Sequence, residues 1–427
     1  MRIGKTVVGW VEMGKVNLLD DAAISAAWED NSGWALQPLI LWLANEGRLI
    51  RNPAKLIEAL CRRLQQAGAP IYRLRCNFNT LHPEVAGRKF TWWRDRPVVE
   101  EYCALHAVMD TPIYIGSPIE TIQVRGESVR FRLDGKDLSQ LHSSLQGAAS
   151  EGVVDYLGFP MVFNDGNVNA FLVGTDRELG FSDGDVAKFK LLVDFFAPVF
   201  EAIALRFLAH SLLDTYIGPR SGKKVLKGHI QRGDNEQIDA VVWFSDLRDF
   251  TALSVQLSND ELLRLLNCYF ETVAAAVTRN GGEVLRFIGD AMLVLFPCGT
   301  QPTPETACRQ AVKAAEQALA AVQSLNRERQ AIGRPLIRFG IGLDQGRVIY
   351  GNVGAPNRLD FTVMGATVNR AARLESLTKT LEVPLLMSEE VARWIDSIAK
   401  PMGQIPLKGM SEPQSVYSLA GKPSAQP

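Results

Sequence analysis

Apolar positions recur at helical spacing over residues 55–66, where Leu56, Ile57, Leu60 and Leu64 share one face. This predicts an amphipathic helix that stops at Gly68-Ala69-Pro70. Short strand-like runs follow at 71–76, 112–115, 124–133 and 154–162, the third with Val129-Arg130-Phe131-Arg132-Leu133 in strict alternation. Asn164-Asp165-Gly166 separates two apolar runs, 160–163 and 170–173, and predicts a hairpin. Gly180-Phe181-Ser182-Asp183 opens a helix beginning near Asp185. An antiparallel sheet bracketed by helices is an α+β pattern. Along 186–214, Val193, Phe196, Phe200, Ile203 and Phe207 step by three and four. That period fits the seam of a parallel helix pair or a single helix packed on its own sheet, and Pro198 interrupts a continuous coiled coil. Residues 1–50, with Trp10, Trp28, Trp34 and an apolar run at 39–43, read as an extension of unknown role.

A Gly/Pro/basic break at 216–224 and a polar, turn-rich stretch at 231–237 mark a linker over 216–237. Beyond it, Ala240-Val241-Val242-Trp243-Phe244 is a buried-strand run ending in Ser245-Asp246. Ser258-Asn259-Asp260-Glu261 is a capping box, and its helix stops at Asn280-Gly281-Gly282. Apolar runs at 284–288 and 292–296 flank Gly289-Asp290, a hairpin with a carboxylate at its tip. A helix over 305–330, a strand from Phe339 and a helix through Val368-Asn369 complete the pattern. If the strands bearing Asp246 and Asp290 are neighbours, two carboxylates converge, the minimal cradle for paired Mg²⁺ or Mn²⁺ ions in phosphoryl transfer. Taken singly, each aspartate is more often a turn residue than a ligand.

Composition narrows the class. The 427 residues are 47% hydrophobic and 22% charged, as in a soluble globular protein of two or three domains. Lys plus Arg number 46 against 47 Asp plus Glu, so there is no basic field to hold a nucleic acid. The six cysteines have no C-x-x-C spacing and read as reduced core thiols. His82 and His106 lack ligand spacing and read as structural. No signal-peptide pattern opens the chain, and the apolar stretch at 191–213 carries Asp194, Glu201 and Arg206. The expectation is a cytoplasmic protein with no membrane span.

Residues 51–215 resemble a GAF-type sensor domain, through the Asn-Asp-Gly hairpin and the Phe-Ser-Asp entry to the closing helix. Such a domain implies dimerisation and a possible small-molecule ligand. Residues 238–420 resemble the catalytic domain of class III nucleotidyl cyclases, before a short tail at 421–427. Five separated motifs carry that resemblance: Phe244-Ser245-Asp246 to Phe250-Thr251, Phe287-Ile288-Gly289-Asp290, Phe339-Gly340-Ile341-Gly342 to Gly346-Arg347-Val348, Asp360-Phe361-Thr362-Val363-Met364-Gly365 to Val368-Asn369-Arg370-Ala371-Ala372-Arg373, and Leu407-Lys408-Gly409.

The resemblance implies a ferredoxin-like, palm-type βαββαβ domain that works as a homodimer with composite sites and two Mg²⁺ or Mn²⁺ ions each. Asp246 and Asp290, with the Leu247 carbonyl, become the metal ligands; Phe250 and Thr251 cradle phosphates. Arg347 and Lys408 hold the β- and γ-phosphates, and Asn369 and Arg373 of the other subunit orient the ribose and stabilise the reacting phosphorus. Arg286 and Thr362 read the base. Lys is usual at the first of these positions in adenylate cyclases, and a guanidinium fork also suits guanine. The implied reaction is ATP to 3′,5′-cyclic AMP and pyrophosphate. A guanylate cyclase and a silent nucleotide-binding regulator are the alternatives; a diguanylate cyclase lacks its hairpin motif, which Gly281-Gly282-Glu283-Val284 only begins.

Overall fold

Leu74, Cys76 and Phe78 alternate with Arg73, Arg75 and Asn77, and this alternation becomes a strand with its apolar side in the core. The computed structural model describes residues 21–30, 33–134, 137–395 and 398–420. Two units partition the chain, one through Leu212 and one from Leu213. The expectation for Trp10 and that for the tail lie outside the described residues.

The first unit runs α1 (Asp21–Glu29), α2 (Gln37–Asn45), α3 (Pro53–Gln66), β1 (Arg73–Asn79), β2 (Val85–Trp93), β3 (Glu100–Leu105), α4 (Pro118–Arg125), β4 (Val129–Arg132), α5 (Ser143–Ser150), β5 (Asp155–Val162), β6 (Val168–Thr175) and α6 (Asp183–Ile217). Its sheet has the order β3-β2-β1-β6-β5-β4, every neighbouring pair antiparallel. The Asn-Asp-Gly turn joins β5 to β6, with Gly166 at φ 83°. Helices α3 and α6 bury their apolar sides on one sheet face together with Trp34, Leu36, Leu39, Ile40 and Leu43, so residues 34–43 belong to this core. Trp34 Nε1 donates to Asp185 and Lys188 donates to the Trp34 carbonyl, tying this segment to the start of α6.

Several expectations change. Residues 112–115 form turns, and Val124 lies in the last turn of a helix that Ser117 caps, Pro118 starts and Gly126 stops at φ 68°. Strands β2 and β3 went unread in the sequence. Of the two packings open for Val193, Phe196, Phe200, Ile203 and Phe207, all five lie against the sheet-side core of their own unit. They are the inward face of one helix.

The second unit comprises α7 (Pro219–Leu226), β7 (Asn235–Leu247), α8 (Phe250–Gln256), α9 (Asn259–Arg279), β8 (Glu283–Ile288), β9 (Ala291–Cys298), α10 (Pro304–Ala331), β10 (Phe339–Ala355), β11 (Arg358–Met364), α11 (Ala366–Thr380), β12 (Leu385–Ser388), α12 (Glu389–Ala392), β13 (Ala399–Ile405) and β14 (Gln414–Leu419). Strands β10-β7-β9-β8 lie in that order as antiparallel neighbours, with α9 and α10 as crossovers, which is the expected ferredoxin-like βαββαβ arrangement. β12, β14 and β13 extend the sheet past β10. The Ser258–Glu261 capping box forms as read. Among the described residues no helix is long and apolar enough to cross a membrane.

The expected linker is not open chain. Helix α7 lies on the second unit, where Ser221 Oγ and Tyr350 OH meet at 2.8 Å in a buried hydrogen bond. The Arg220 backbone N–H donates to Glu283, and Lys224 pairs with Glu236.

Helices α9 and α10 cover one face of the sheet and α11 the other. The second contact explains the Gly-x-Gly run on β10. A Cβ on Gly342 would stand 2.0 Å from the Ala371 carbonyl oxygen, one on Gly340 2.1 Å from Thr378 Oγ1, and one on Gly346 2.7 Å from Thr367 Oγ1. These glycines form a track on which α11 lies closer than any side chain permits. Buried Asp344 then fixes the helix by accepting from Arg370 Nε at 2.8 Å. Gly342→Ala pushes on backbone, not on a flexible side-chain tip, so it is expected to cost about 3 kcal/mol or more. Thermal or urea unfolding checks this, against an exposed Gly299→Ala control made in parallel, where an added Cβ meets nothing within 4 Å.

Candidate active site

Strand β7 sends Val241, Trp243 and Ser245 toward α9 and α10, and the alternate residues, Asp246 among them, toward α11. Asp290 sits on the two-residue turn between β8 and β9, and β9 is the hydrogen-bonded neighbour of β7. The two carboxyl groups therefore converge, as the spacing of the sequence anticipates. Burial, followed by contact with the Asp290 carboxyl, pushes the Asp246 carboxyl up to about 7. Asp246 Oδ1 is buried and has no hydrogen-bond partner. A buried, unpartnered oxygen facing a second carboxylate is a donor set that suits a divalent cation.

The end of β7 is a tight corner. Asp249 takes φ 60°, an uncommon left-handed conformation for a non-glycine residue, and swings the chain into α8, so that Phe250 and Thr251 open that helix. Arg338 donates to Asp249 at 2.8 Å. Arg248 donates to the Val383 and Thr378 carbonyls and ties this corner to the end of α11.

Helix α11 presents Glu375 to the sheet, where burial and then the Asp246 charge push its carboxyl up to about 7. At 100° per residue, Arg373 and Asn369 lie roughly half a turn away from Glu375. Both are exposed, and neither side chain makes a hydrogen bond or ion pair among the described residues. Lys408 is exposed on the β13–β14 loop, and its neighbour Leu407 is buried with Leu374 of α11. Asn369, Arg373 and Lys408 thus stand on one side of α11 and its supporting loop, turned away from Asp246.

The distal half of β10 and its partner β11 fold over the α11 side of the sheet, where Phe361 meets Tyr350 edge-on at 4.7 Å. This brings Asp360 to Arg286 of β8, with Nη1 and Oδ2 3.0 Å apart. Thr362 is half-buried two residues on.

Arg347 joins neither group. It pairs in register with Asp239 while Asp246 pairs with Gly340, so seven positions, about 23 Å, separate them along the sheet. Gly346 faces α11, so Arg347 projects from the opposite face. Arg338 and Lys379, which the motif reading passed over, are basic side chains at the acidic corner, paired with Asp249 at 2.8 and 3.6 Å. Glu375 and Asp360 were likewise unassigned, although Asp360 opens the fourth motif and Glu375 lies two residues past its end; fixing their places takes the rotation of α11 and the fold-over of β11.

The sequence profile of the adenylate and guanylate cyclase catalytic domain matches residues 234–421. Over 203 residues the chain is 30% identical to adenylate cyclase 1 of Rhizobium meliloti (strain 1021), covering 47% of this chain and 30% of that protein. Over 187 residues it is 34% identical to an adenylate cyclase of Anabaena cylindrica, covering 42% and 36%. The chain thus spans about a third of the length of these relatives. A crystal structure of an adenylyl cyclase from P. aeruginosa aligns over 45% of this chain and 99% of its own, at 29% identity and a TM-score of 0.41.

The like-charge contact has a pH signature in metal-free protein. A carboxyl raised in the folded state destabilises it increasingly as pH rises from about 4 through 7. Asp246→Asn is therefore expected to melt above the parent at pH 8 and with it near pH 4. Added Mg²⁺ or Mn²⁺ should raise the parent's midpoint selectively. Differential scanning fluorimetry across pH checks both.

Proposed function

We propose that this chain, whose residues 234–421 belong to the adenylate and guanylate cyclase catalytic-domain family, converts ATP into 3′,5′-cyclic AMP and pyrophosphate as a homodimer with composite sites. The observation that carries the reading is the convergence of Asp246 and Asp290 around a buried oxygen without a partner. Asp246, Asp290 and the Leu247 carbonyl would hold one or two divalent cations, which supply charge neutralisation along the triphosphate and a lower pKa for the ribose 3′-hydroxyl.

The chain's own residues do the rest. Phe250 and Thr251 offer backbone N–H groups to the phosphates, and Arg338 lies beside them at the same corner, in the role first given to Arg347. The ribose 3′-oxygen attacks the α-phosphorus, the bond to the bridging oxygen of the β-phosphate breaks, and the hydroxyl proton leaves to solvent. Arg373 offsets the charge that builds on the α-phosphoryl oxygens, Asn369 orients the ribose, and Lys408 neutralises the departing pyrophosphate.

Homodimerisation is supported by the rotation of α11. One chain turns Glu375 toward its own acids and Asn369 and Arg373 outward, so a second copy must supply the outward pair. Arg286 and Thr362 read the purine. Asp360 occupies part of the Arg286 fork, which disfavours a two-pronged grip on guanine O6 and N7 and favours ATP. The N-terminal unit acts as a GAF-like regulatory domain in the cytoplasm.

Purified full-length chain with Mn²⁺ and either ATP or GTP tests this directly. Cyclic AMP is the expected main product, and Asp246→Ala should lower turnover by roughly 10³-fold or more. Arg286→Lys should sharpen the preference for ATP. No cyclic product from either nucleotide would identify a silent regulator. Mixing Asp246→Ala with Arg373→Ala chains should restore about a quarter of parental activity, because half of randomly paired dimers are mixed and each holds one intact site of two.

A further inference from the structure

The first unit's sheet has a second face, opposite the one that α3 and α6 cover. On it the alternate residues of β1 and β2 stand side by side. Arg73 pairs in register with Trp93, Arg75 with Thr91 and Asn77 with Lys89, while Lys89 and Thr91 pair with Tyr102 and Glu100 of β3. Three cations thus meet on adjacent strands.

Their partners do not balance them. Arg73 is 4% exposed, and its Nε and Nη1 make no hydrogen bond; a Glu151 oxygen lies 3.7 Å from Nε. Half-buried Arg75 donates Nε to Thr91 Oγ1 at 3.1 Å and forms no ion pair among the described residues. Half-buried Lys89 has its Nζ 4.4 Å from the centre of the Tyr102 ring and no carboxylate partner there. The two acids facing this patch are Glu100 and Glu151, and Arg96 binds both, at 2.9 and 3.4 Å. Trp93 Nε1 also donates to Glu151 at 3.1 Å. Arg73, Arg75, Lys89 and Arg96 against Glu100 and Glu151 leave a surplus of two positive charges. Burial, then the nearby Arg75 and Arg73, lower the Lys89 ammonium to about 8, and Glu100 offsets this only in part.

A purely structural arginine at this depth is normally saturated with acceptors. We propose that this face binds a small dianion, an organic phosphate or a dicarboxylate, through Arg73, Arg75 and Lys89, with Trp93 and Tyr102 as flanking rings. Oxyanion acceptors satisfy the free N–H groups of Arg73, and a double negative charge matches the surplus. The patch is open at β3, where Tyr102 is 49% exposed. The site belongs to the first unit alone and does not depend on the cyclase reading, so its test reads binding and not product.

The experiment is thermal unfolding and titration calorimetry of the full chain with inorganic phosphate and with succinate, against chloride and acetate at matched ionic strength. At least one dianion is expected to raise the midpoint by several degrees and to bind at millimolar concentration or tighter. Arg75→Met and Lys89→Met should each weaken that binding at least tenfold, while melting at or above the parent in anion-free buffer because a crowded charge is gone. Arg75→Lys keeps the charge and should retain most of the response. The proposal is overturned if neither dianion exceeds its monoanion control, or if the response survives in both Met variants and therefore arises elsewhere. It is equally overturned if both Met variants melt well below the parent in anion-free buffer, which would mark the cations as structural.

Discussion

The closeness of α11 to β10 is the constraint on which the second unit depends. A helix normally rests on a sheet at a distance set by intervening side chains. Here Gly340, Gly342 and Gly346 remove them, and the helix settles onto bare backbone. That approach brings Glu375 within electrostatic range of Asp246 and lets Arg370 reach buried Asp344. It also fixes which side of the helix looks outward. Arg248, bonded to carbonyls at the far end of α11, locks the same helix to the acidic corner. Position, rotation and axial placement of the helix each have a separate contact.

The acidic pair is an electrostatic liability that the same fold maintains. Two carboxyls forced together destabilise a protein unless something of opposite charge joins them. The fold nonetheless brings them there on its most rigid parts, the end of a central strand and a two-residue turn on the neighbouring strand. Tyr269, buried beneath, donates to Ser245 and braces the strand end from the other face. A chance cluster of turn residues would not be held in so unfavourable a contact on such rigid elements, and the proposed cation site rests on this.

Much of this was legible in the chain because it is local. The capping box at Ser258, the Asn-Asp-Gly hairpin and the hairpin bearing Asp290 each announce themselves within a few residues. Strand β3 did not, because as an edge strand its residues are exposed or half-exposed and show no apolar alternation. β2 was hidden by Arg88-Lys89 in its middle. The apolar period along α6 is the same for a helix pair and for a helix on a sheet, so spacing alone cannot separate them. Arg347 and Arg338 flank the same glycine motif, and only the pairing of β10 with β7 tells which of them lies at the acidic corner. Sequence motifs name the residues of a site, but register and helix rotation decide their neighbours.

The outward face of α11 has a consequence for dosage. With Asn369 and Arg373 turned from the acids of their own chain, the proposed reaction would leave a solitary molecule with only two unmatched halves. Output then reports encounters between molecules more than their number. At levels well below the dissociation constant of such a dimer, doubling the amount of this chain would yield about four times as many pairs, so a modest change in expression would be read as a steep change in product.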